Sequence, residues 1–139
     1  MTEIQAVFID RDGTIGGTGH FIHPCDFQPY AYSKDAIHLL KAQGIPLFAC
    51  TNQWRISKGQ ATMDDFYEEF KSDDLDDAFI CPHGPDDECT CRKPKPGLLF
   101  EAAEKYHLDL SKTMFIGDTG TDMQAADAAG AKKILVRTG

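Results

Sequence analysis

The sequence predicts an α/β fold, a three-layer sandwich in which a mostly parallel sheet is covered by helices on both faces. Two observations support this fold class: five short apolar runs have the length of buried strands, and helical patterns lie between them. Strands that alternate with helices in this way form a Rossmann-like arrangement. The predicted strands occupy residues 6–9, 46–50, 78–80, 114–116 and 133–136.

The first two helices are predicted from capping residues. Ser33 is a candidate cap for a helix that runs to Gln43 and stops at Gly44. Thr62 is a candidate cap for a second helix that runs to about Lys71.

The other two helices are predicted from composition and spacing. The segment 95–108 carries apolar residues at helical spacing, with Pro96 near its start. The segment 119–129 is rich in alanine and ends at Gly130. Residues 14–32 are predicted to form a long loop, and long loops in compact domains tend to be functional.

The size and charge of the chain limit its class. Its 139 residues are most simply one domain, 1–139, without a separate cap domain, and the formal net charge is -8. A broad nucleic-acid surface normally needs a basic face, so no nucleic-acid partner is expected. No apolar run approaches bilayer length, and MTEIQAVFID has no basic segment before a hydrophobic stretch, so we expect a cytoplasmic protein without a membrane partner.

Polar and charged side chains follow four of the predicted strands. In open α/β sheets ligands bind beyond the carboxyl ends of the strands, so we expect these side chains to meet at one edge. Two carboxylates about 4 Å apart repel by roughly 4 kcal/mol at an effective dielectric near 20, so such a cluster needs a cation. Hard oxygen ligands favour Mg²⁺, and a lysine with a hydroxyl would complete a pocket for one phosphoryl group. The residues concerned are Asp10, Asp12, Thr51, Asn52, Arg92, Lys93 and Asp118.

Each of these segments alone also has an ordinary interpretation. An aspartate and a glycine after a strand commonly form a turn, and an aspartate or threonine before a helix commonly caps it. Their joint occurrence after four strands favours a functional site.

A cysteine-rich segment follows the third predicted strand. Cys81, His83, Cys89 and Cys91 form a Cys-x-His-x5-Cys-x-Cys pattern, which supplies three thiolates and one imidazole as zinc ligands. Four protein ligands close the coordination sphere, so the predicted site is structural and would fix residues 92–93 beside the phosphate pocket. A reduced, metal-free loop and a redox pair of Cys89 with Cys91 are the alternatives.

Four motifs occur along the chain in an order typical of one superfamily. They are DRDGT at 10–14, TNQ at 51–53, the cysteine segment leading into RKPKPG at 81–97, and IGDTGTD at 116–122. With them the chain resembles the haloacid dehalogenase superfamily phosphatases, in particular the capless zinc-containing branch with histidinol-phosphate phosphatase and D-glycero-D-manno-heptose 1,7-bisphosphate 7-phosphatase. The resemblance implies a Mg²⁺-dependent hydrolase that cleaves a small phosphorylated metabolite through an aspartyl-phosphate intermediate, with Zn²⁺ in a structural role.

The resemblance also implies catalytic roles for individual residues. Asp10 would be the nucleophile and a Mg²⁺ ligand. Asp12 would be the general acid and then the general base, with its backbone carbonyl on Mg²⁺. Asp118 would be the third protein ligand, whereas Asp122 would brace the site or cap a helix.

The same resemblance implies the residues that hold the substrate. Thr51 and Asn52 would bind the phosphoryl oxygens, and Lys93 would neutralise charge on the phosphate and the nucleophile. Arg92 would be a second cation for the substrate.

Substrate choice is assigned to the loops 14–32, 53–62 and 81–93. Heptose-bisphosphate enzymes usually read SGIARG after TNQ, and this chain departs from that pattern at Trp54 and Arg55. The five-residue zinc spacer is closer to histidinol-phosphate phosphatase. A nucleic-acid 3′-end phosphatase and a catalytically idle zinc-stabilised binding module are the alternatives from other classes.

Overall fold

The computed structural model of the chain describes residues 4–18 and 20–137. Gly19 of the predicted loop 14–32 and the end residues of the predicted domain 1–139 lie outside the described residues. Across the described part of the chain, no helix combines the length and the apolar character needed to cross a bilayer.

The five predicted strands form one parallel sheet, which confirms the α/β fold class. Its strand order is β3-β2-β1-β4-β5, so β1 is central and pairs with β2 on one side and β4 on the other. From β1 the strands β2 and β3 are added on one side of the sheet, and β4 and β5 are added on the other side. The strand order therefore changes direction beside β1, and α/β sheets bind ligands at such a point. The strands are β1 (Ala6–Ile9), β2 (Leu47–Asn52), β3 (Asp77–Cys81), β4 (Thr113–Gly117) and β5 (Lys132–Leu135).

Four helices cover the two faces of this sheet. Apolar residues of α1 and α2 pack with one set of strand residues, and apolar residues of α3 and α4 pack with the other set. This alternation follows from strand geometry, because successive side chains point to opposite faces. The helices are α1 (Ala31–Ala42), α2 (Met63–Ser72), α3 (Gly97–Tyr106) and α4 (Gly120–Ala129).

Helix capping agrees with the sequence at α2 and differs at α1. Thr62 caps α2 in a reciprocal capping box with Asp65, as the sequence predicts for Thr62. The predicted cap Ser33 is wrong, because α1 begins at Ala31 and Ser33 is buried in its first turn. The start of α1 is set by tertiary contact instead: the backbone N–H of Tyr30 donates to the carbonyl of Ile15 at 2.8 Å.

The segment between β1 and α1 folds back on itself beside the carboxyl edge of the sheet. Gly16 forms isolated bridges with Asp12 and with Pro29. A side chain at Gly16 would overlap the carbonyl of Gln28, so glycine permits this close approach. The loop therefore lies against the residues that follow β1.

Candidate active site

Lys93 is the central cation at the carboxyl edge of the sheet. Its Nζ atom donates to Oδ1 of Asp10 at 3.0 Å, to Oδ1 of Asp122 at 2.5 Å and to the carbonyl of Cys50 at 2.9 Å. These acceptors lie at the end of β1, at the start of α4 and in β2. The sheet topology thus gathers groups that are far apart in the sequence around one ammonium group.

Three carboxylates form a cluster of the kind that holds a divalent cation. One oxygen from each of Asp10, Asp118 and Asp122 lies within 4.8 Å of the others. Asp10 and Asp122 are buried, whereas Asp118 is half-buried and accepts a hydrogen bond from the Thr14 hydroxyl at 3.4 Å. A set of carboxylate oxygens fits Mg²⁺ better than Zn²⁺.

Asp122 is held in place by the start of α4. The backbone N–H of Asp122 donates to the Thr119 hydroxyl, and the Asp122 carboxylate accepts from the backbone N–H of Thr119. Gly117 leaves room for this carboxylate, because a Cβ atom at that position would overlap it. Asp122 therefore caps the helix and also braces Lys93, as the sequence interpretation anticipated.

Burial dominates the electrostatics of Asp10. Desolvation raises the pKa of its carboxyl to about 7, although the neighbouring Lys93 lowers it. Burial lowers the pKa of Lys93, but the charges of Asp10 and Asp122 outweigh this effect and raise it. Lys93 is therefore charged at neutral pH, and a further cation near Asp10 would favour the ionised carboxylate.

The carboxylate of Asp12 lies apart from this cluster and is held at both oxygens. Oδ1 accepts from Nη1 of Arg11 at 2.7 Å, and Oδ2 accepts from Nε2 of Gln53 at 2.7 Å. Gln53 also donates to the Thr51 hydroxyl at 3.1 Å. Burial raises the pKa of the Asp12 carboxyl above its ordinary value, against the lowering effect of Arg11 and Gln53. The side chain of Asp12 is thus held by Arg11 and Gln53 and is not one of the carboxylates of the acidic cluster.

Asn52 positions the backbone of Lys93. Its Nδ2 atom donates to the Lys93 carbonyl at 3.2 Å, and its Oδ1 atom accepts from the Lys93 backbone N–H at 3.0 Å. The side-chain amide predicted to hold phosphate is therefore engaged with the main chain at Lys93. Arg92 donates from Nη1 to the carbonyl of His83 at 3.2 Å, which ties it to the cysteine-rich loop.

The predicted zinc ligands come together in space. Sγ of Cys81 lies 3.4 Å from Nδ1 of His83, 3.8 Å from Sγ of Cys89 and 3.1 Å from Sγ of Cys91. Nδ1 of His83 lies 3.3 Å from Sγ of Cys91. Three sulfur donors and one imidazole nitrogen, all within 4.8 Å of one another, are a donor set of the kind that binds zinc.

The cysteine-rich loop joins directly to the carboxylate site. Cys81 ends β3, and its carbonyl accepts from the backbone N–H of Gln53 at 2.8 Å. Cys91 precedes Arg92 and Lys93 in the chain. The loop therefore fixes the direction in which Lys93 enters the site.

Three residues of this site had no predicted role from the sequence. Gln53 and Arg11 lie within the recognised motifs, but neither motif indicates which side chain they contact. Glu69 lies in an acidic run typical of a solvated helix face, yet its side chain is only 7% exposed and pairs with Arg11 at 2.8 Å. A fully buried arginine needs a carboxylate partner. The arginine directly after Asp10 is therefore the one feature of the sequence that could have indicated a buried acidic partner such as Glu69.

Comparison with known proteins supports the same interpretation. A family model described as HAD-hydrolase-like matches residues 90–139. A D-glycero-beta-D-manno-heptose-1,7-bisphosphate 7-phosphatase from Yersinia pestis is 37% identical over 158 residues, covering 100% of this chain and 84% of that protein. The enzyme of that name from Escherichia coli K12 is 37% identical, covering 98% of this chain and 81% of that protein. The chain belongs to the haloacid dehalogenase-like phosphatases.

Solved structures of this family have the same fold. A D,D-heptose 1,7-bisphosphate phosphatase from B. bronchiseptica, complexed with magnesium and phosphate, is 32% identical with a TM-score of 0.86 and covers 98% of this chain and 82% of that chain. A second, from Burkholderia thailandensis, is 25% identical with a TM-score of 0.70 and covers 97% of this chain and 79% of that chain. As a haloacid dehalogenase-like phosphatase, the protein is a hydrolase of phosphoric monoesters, which confirms the enzyme class predicted from the motifs.

Proposed function

We propose that the protein is a Mg²⁺-dependent phosphomonoesterase whose substrate is a small phosphorylated sugar of the heptose 1,7-bisphosphate type. One observation carries this proposal: buried Lys93 faces the carboxylates of Asp10 and Asp122 at the carboxyl edge of the sheet, and Asp118 completes the acidic cluster. The name shared by the relatives from Yersinia pestis and Escherichia coli supports the substrate class.

The proposed reaction has two steps. An oxygen of Asp10 attacks phosphorus, the bond from phosphorus to the ester oxygen breaks, and Asp12 gives that oxygen a proton. A water molecule then attacks the phosphorus of the aspartyl-phosphate, Asp12 accepts its proton, and inorganic phosphate leaves with Asp10 restored. The raised pKa of Asp12 suits a group that must both donate and accept a proton.

In this proposal the metal is held by Asp10, Asp118 and the backbone carbonyl of Asp12. When bound, Mg²⁺ would offset the negative charge of the phosphoryl group and of the nucleophile. The B. bronchiseptica relative, which was solved with magnesium and phosphate, supports this choice of ion. Asp122 stays with Lys93, since its carboxylate already caps α4 and accepts from the ammonium group.

The phosphoryl oxygens would be bound by Thr51 and by the main chain at Asn52, and the positive charge of Lys93 would offset their negative charge. The Thr51 hydroxyl accepts from Gln53, which leaves its own proton free to donate to an oxygen of the phosphoryl group. Arg92 would contact the part of the substrate beyond the phosphoryl group. A structural Zn²⁺ would hold the cysteine-rich loop, and with it Arg92, in a fixed position beside the site. Its ligands would be Cys81, His83, Cys89 and Cys91.

Histidinol phosphate is the second candidate substrate. The zinc loop has a five-residue spacer between His83 and Cys89, and Trp54 and Arg55 replace the usual residues after TNQ. In addition, the alignment with the Yersinia pestis enzyme spans 158 residues whereas this chain has 139, so that relative carries insertions that this chain lacks. Residues 54–55 and the zinc spacer lie in the loops 53–62 and 81–93, which are segments expected to set substrate selectivity.

The deciding experiment is a substrate screen of purified protein with Mg²⁺. The panel contains heptose 1,7-bisphosphate, histidinol phosphate, other sugar and amino-alcohol phosphates, and an oligonucleotide with a 3′-phosphate. We expect kcat/KM for a small sugar phosphate to exceed that for the oligonucleotide by at least about a hundredfold, because the chain is acidic. A preference for the oligonucleotide, or no turnover of any member, would contradict the proposal.

A further inference from the structure

Arg11 lies between the proposed nucleophile and the proposed general acid, and its side chain is completely buried. Its guanidinium donates from Nε and Nη2 to the two carboxylate oxygens of Glu69, both at 2.8 Å. Nη2 also donates to the carbonyl of Ile22 at 2.7 Å, and Nη1 donates to Oδ1 of Asp12 at 2.7 Å. Every nitrogen of the group is thus engaged.

Two aromatic rings lie against the same guanidinium. Its central carbon lies 3.9 Å from the ring centre of Phe27 and 4.9 Å from that of Phe66. Phe27 belongs to the loop that follows β1, and Phe66 and Glu69 belong to α2. A planar group with a bidentate partner and stacked rings has a single orientation, so its remaining N–H points in a fixed direction.

Arg11 and Gln53 together orient the carboxylate of Asp12. Glu69 pairs with Arg11, and Arg11 donates a directed hydrogen bond to Oδ1 of Asp12. The second oxygen of Asp12 is held by Gln53. The Asp12 carboxylate therefore has a fixed plane, set by two donors from different elements.

We infer that Arg11, locked by Glu69, is a positioning residue that holds the carboxylate of Asp12 in line with the oxygen of the leaving alcohol. This inference rests on the proposed role of Asp12 as general acid. Loss of the Arg11–Glu69 ion pair would leave phosphate binding intact. It would slow only those reactions in which the leaving group needs a proton.

The test compares leaving groups in single turnover, which reports the first chemical step alone. The substrates are p-nitrophenyl phosphate, whose leaving group departs with little protonation, and glycerol 2-phosphate, whose alcohol must be protonated. The variants are Glu69→Gln, which weakens the lock, and the double variant Arg11→Met with Glu69→Met, which removes both buried charges together and so avoids an unpaired one. Lys105→Met, which removes an exposed ion pair with Asp77, is the matched control.

Both variants are expected to release glycerol at least about tenfold more slowly while nitrophenol release changes by less than about threefold. KM for both substrates should stay within about twofold of the parent. The control should leave both rates unchanged. If the double variant does not fold, the Glu69→Gln variant decides the outcome alone.

Two further results separate this inference from the proposed function. Asp12→Asn should show the same dependence on leaving group in stronger form, and its absence there would overturn the role of Asp12 itself. If Asp12→Asn shows the dependence while a folded Arg11 or Glu69 variant loses both rates equally, or loses neither, the positioning role of Arg11 is wrong.

Discussion

The ammonium nitrogen of Lys93 lies 3.0 Å from Oδ1 of Asp10, although 83 positions separate the two residues in the sequence. The same nitrogen donates to Asp122 and to the carbonyl of Cys50, so each of its three protons has an acceptor. One cation thus faces two buried carboxylates. Lys93 balances only one of these two negative charges, and Asp118 adds another. A divalent ion bound by Asp10 and Asp118 can balance the remaining negative charge.

Replacing Lys93 should damage both activity and stability. Lys93→Met leaves the carboxylates of Asp10 and Asp122 buried without their cation, so we expect kcat to fall by about a hundredfold or more. Without added metal, the free energy of unfolding should fall by about 3 kcal/mol. Phosphatase assays and urea unfolding in metal-free buffer measure the two effects. Lys105→Met, at an exposed lysine, should leave kcat unchanged, and a Lys93→Met enzyme with parental kcat would remove Lys93 from the proposed mechanism.

Asp10→Asn should abolish turnover of a generic aryl phosphate while the fold persists. The amide keeps the size and the hydrogen-bonding oxygen of the side chain but is too weak a nucleophile to attack phosphorus. Steady-state release of p-nitrophenol measures activity, and near-ultraviolet circular dichroism measures the fold. The parent enzyme should form a phosphorylated species that is cleaved by hydroxylamine, and the variant should not. Undiminished activity in the variant would refute the nucleophile assignment.

Much of this architecture follows from local patterns in the sequence. Apolar runs placed all five strands, and the topology of a parallel sheet explains why Asp10 and Asp118 meet. The start of α1 was not predictable from Ser33, because a backbone contact between Tyr30 and Ile15 determines it.

Long-range pairing is the part that local patterns miss. Arg11 and Glu69 are 58 positions apart, and only their meeting in space shows that an acidic helix residue is buried. The motif TNQ does not predict the contact of Gln53 with Asp12 either, because this contact depends on how β1 and β2 pair.

Removal of Mg²⁺ should stop catalysis without unfolding the protein. Brief treatment with EDTA should reduce phosphatase activity to background, since the acidic cluster would lose its counter-charge. Added Mg²⁺ should restore activity. Zinc, measured by plasma mass spectrometry, should remain at about one per chain throughout this cycle, because a closed site with three thiolates exchanges slowly. Full activity in metal-free buffer would exclude Mg²⁺ from the mechanism.

Loss of one zinc ligand should destabilise the loop that carries Lys93. Cys89→Ser is expected to lower the zinc content of the protein and to lower Tm by at least about 5 °C, because zinc binding contributes directly to folding free energy. Thermal unfolding with metal analysis checks both effects. Cys25→Ser, at an exposed cysteine outside the cluster, should change neither. A purified parent protein that is free of zinc and equally stable would show that the loop needs no metal.

Ionisation of Asp77, at the start of β3, should make the free energy of unfolding depend on pH. Partial burial raises its pKa, but hydrogen bonds from Lys105 at 2.7 Å and Tyr106 at 2.6 Å outweigh this and lower it below the ordinary value of 3.8. A carboxyl whose pKa is lower in the folded state stabilises the fold above its unfolded pKa, and this contribution is lost as pH falls through the folded pKa. Asp77→Asn should therefore reduce the free energy of unfolding by about 1 kcal/mol at pH 7, with the difference shrinking as pH falls below 3.8.

Urea unfolding from pH 3 to pH 7 measures this difference. Asp35→Asn, at an exposed position of α1, is the matched control and should be nearly neutral at every pH. A difference between Asp77→Asn and the parent that stays constant across the range would mean that packing, rather than the ionised carboxylate, stabilises this edge of the sheet. The ion pair with Lys105 on α3 would then contribute nothing to holding that helix against β3, since exposed ion pairs are often worth little.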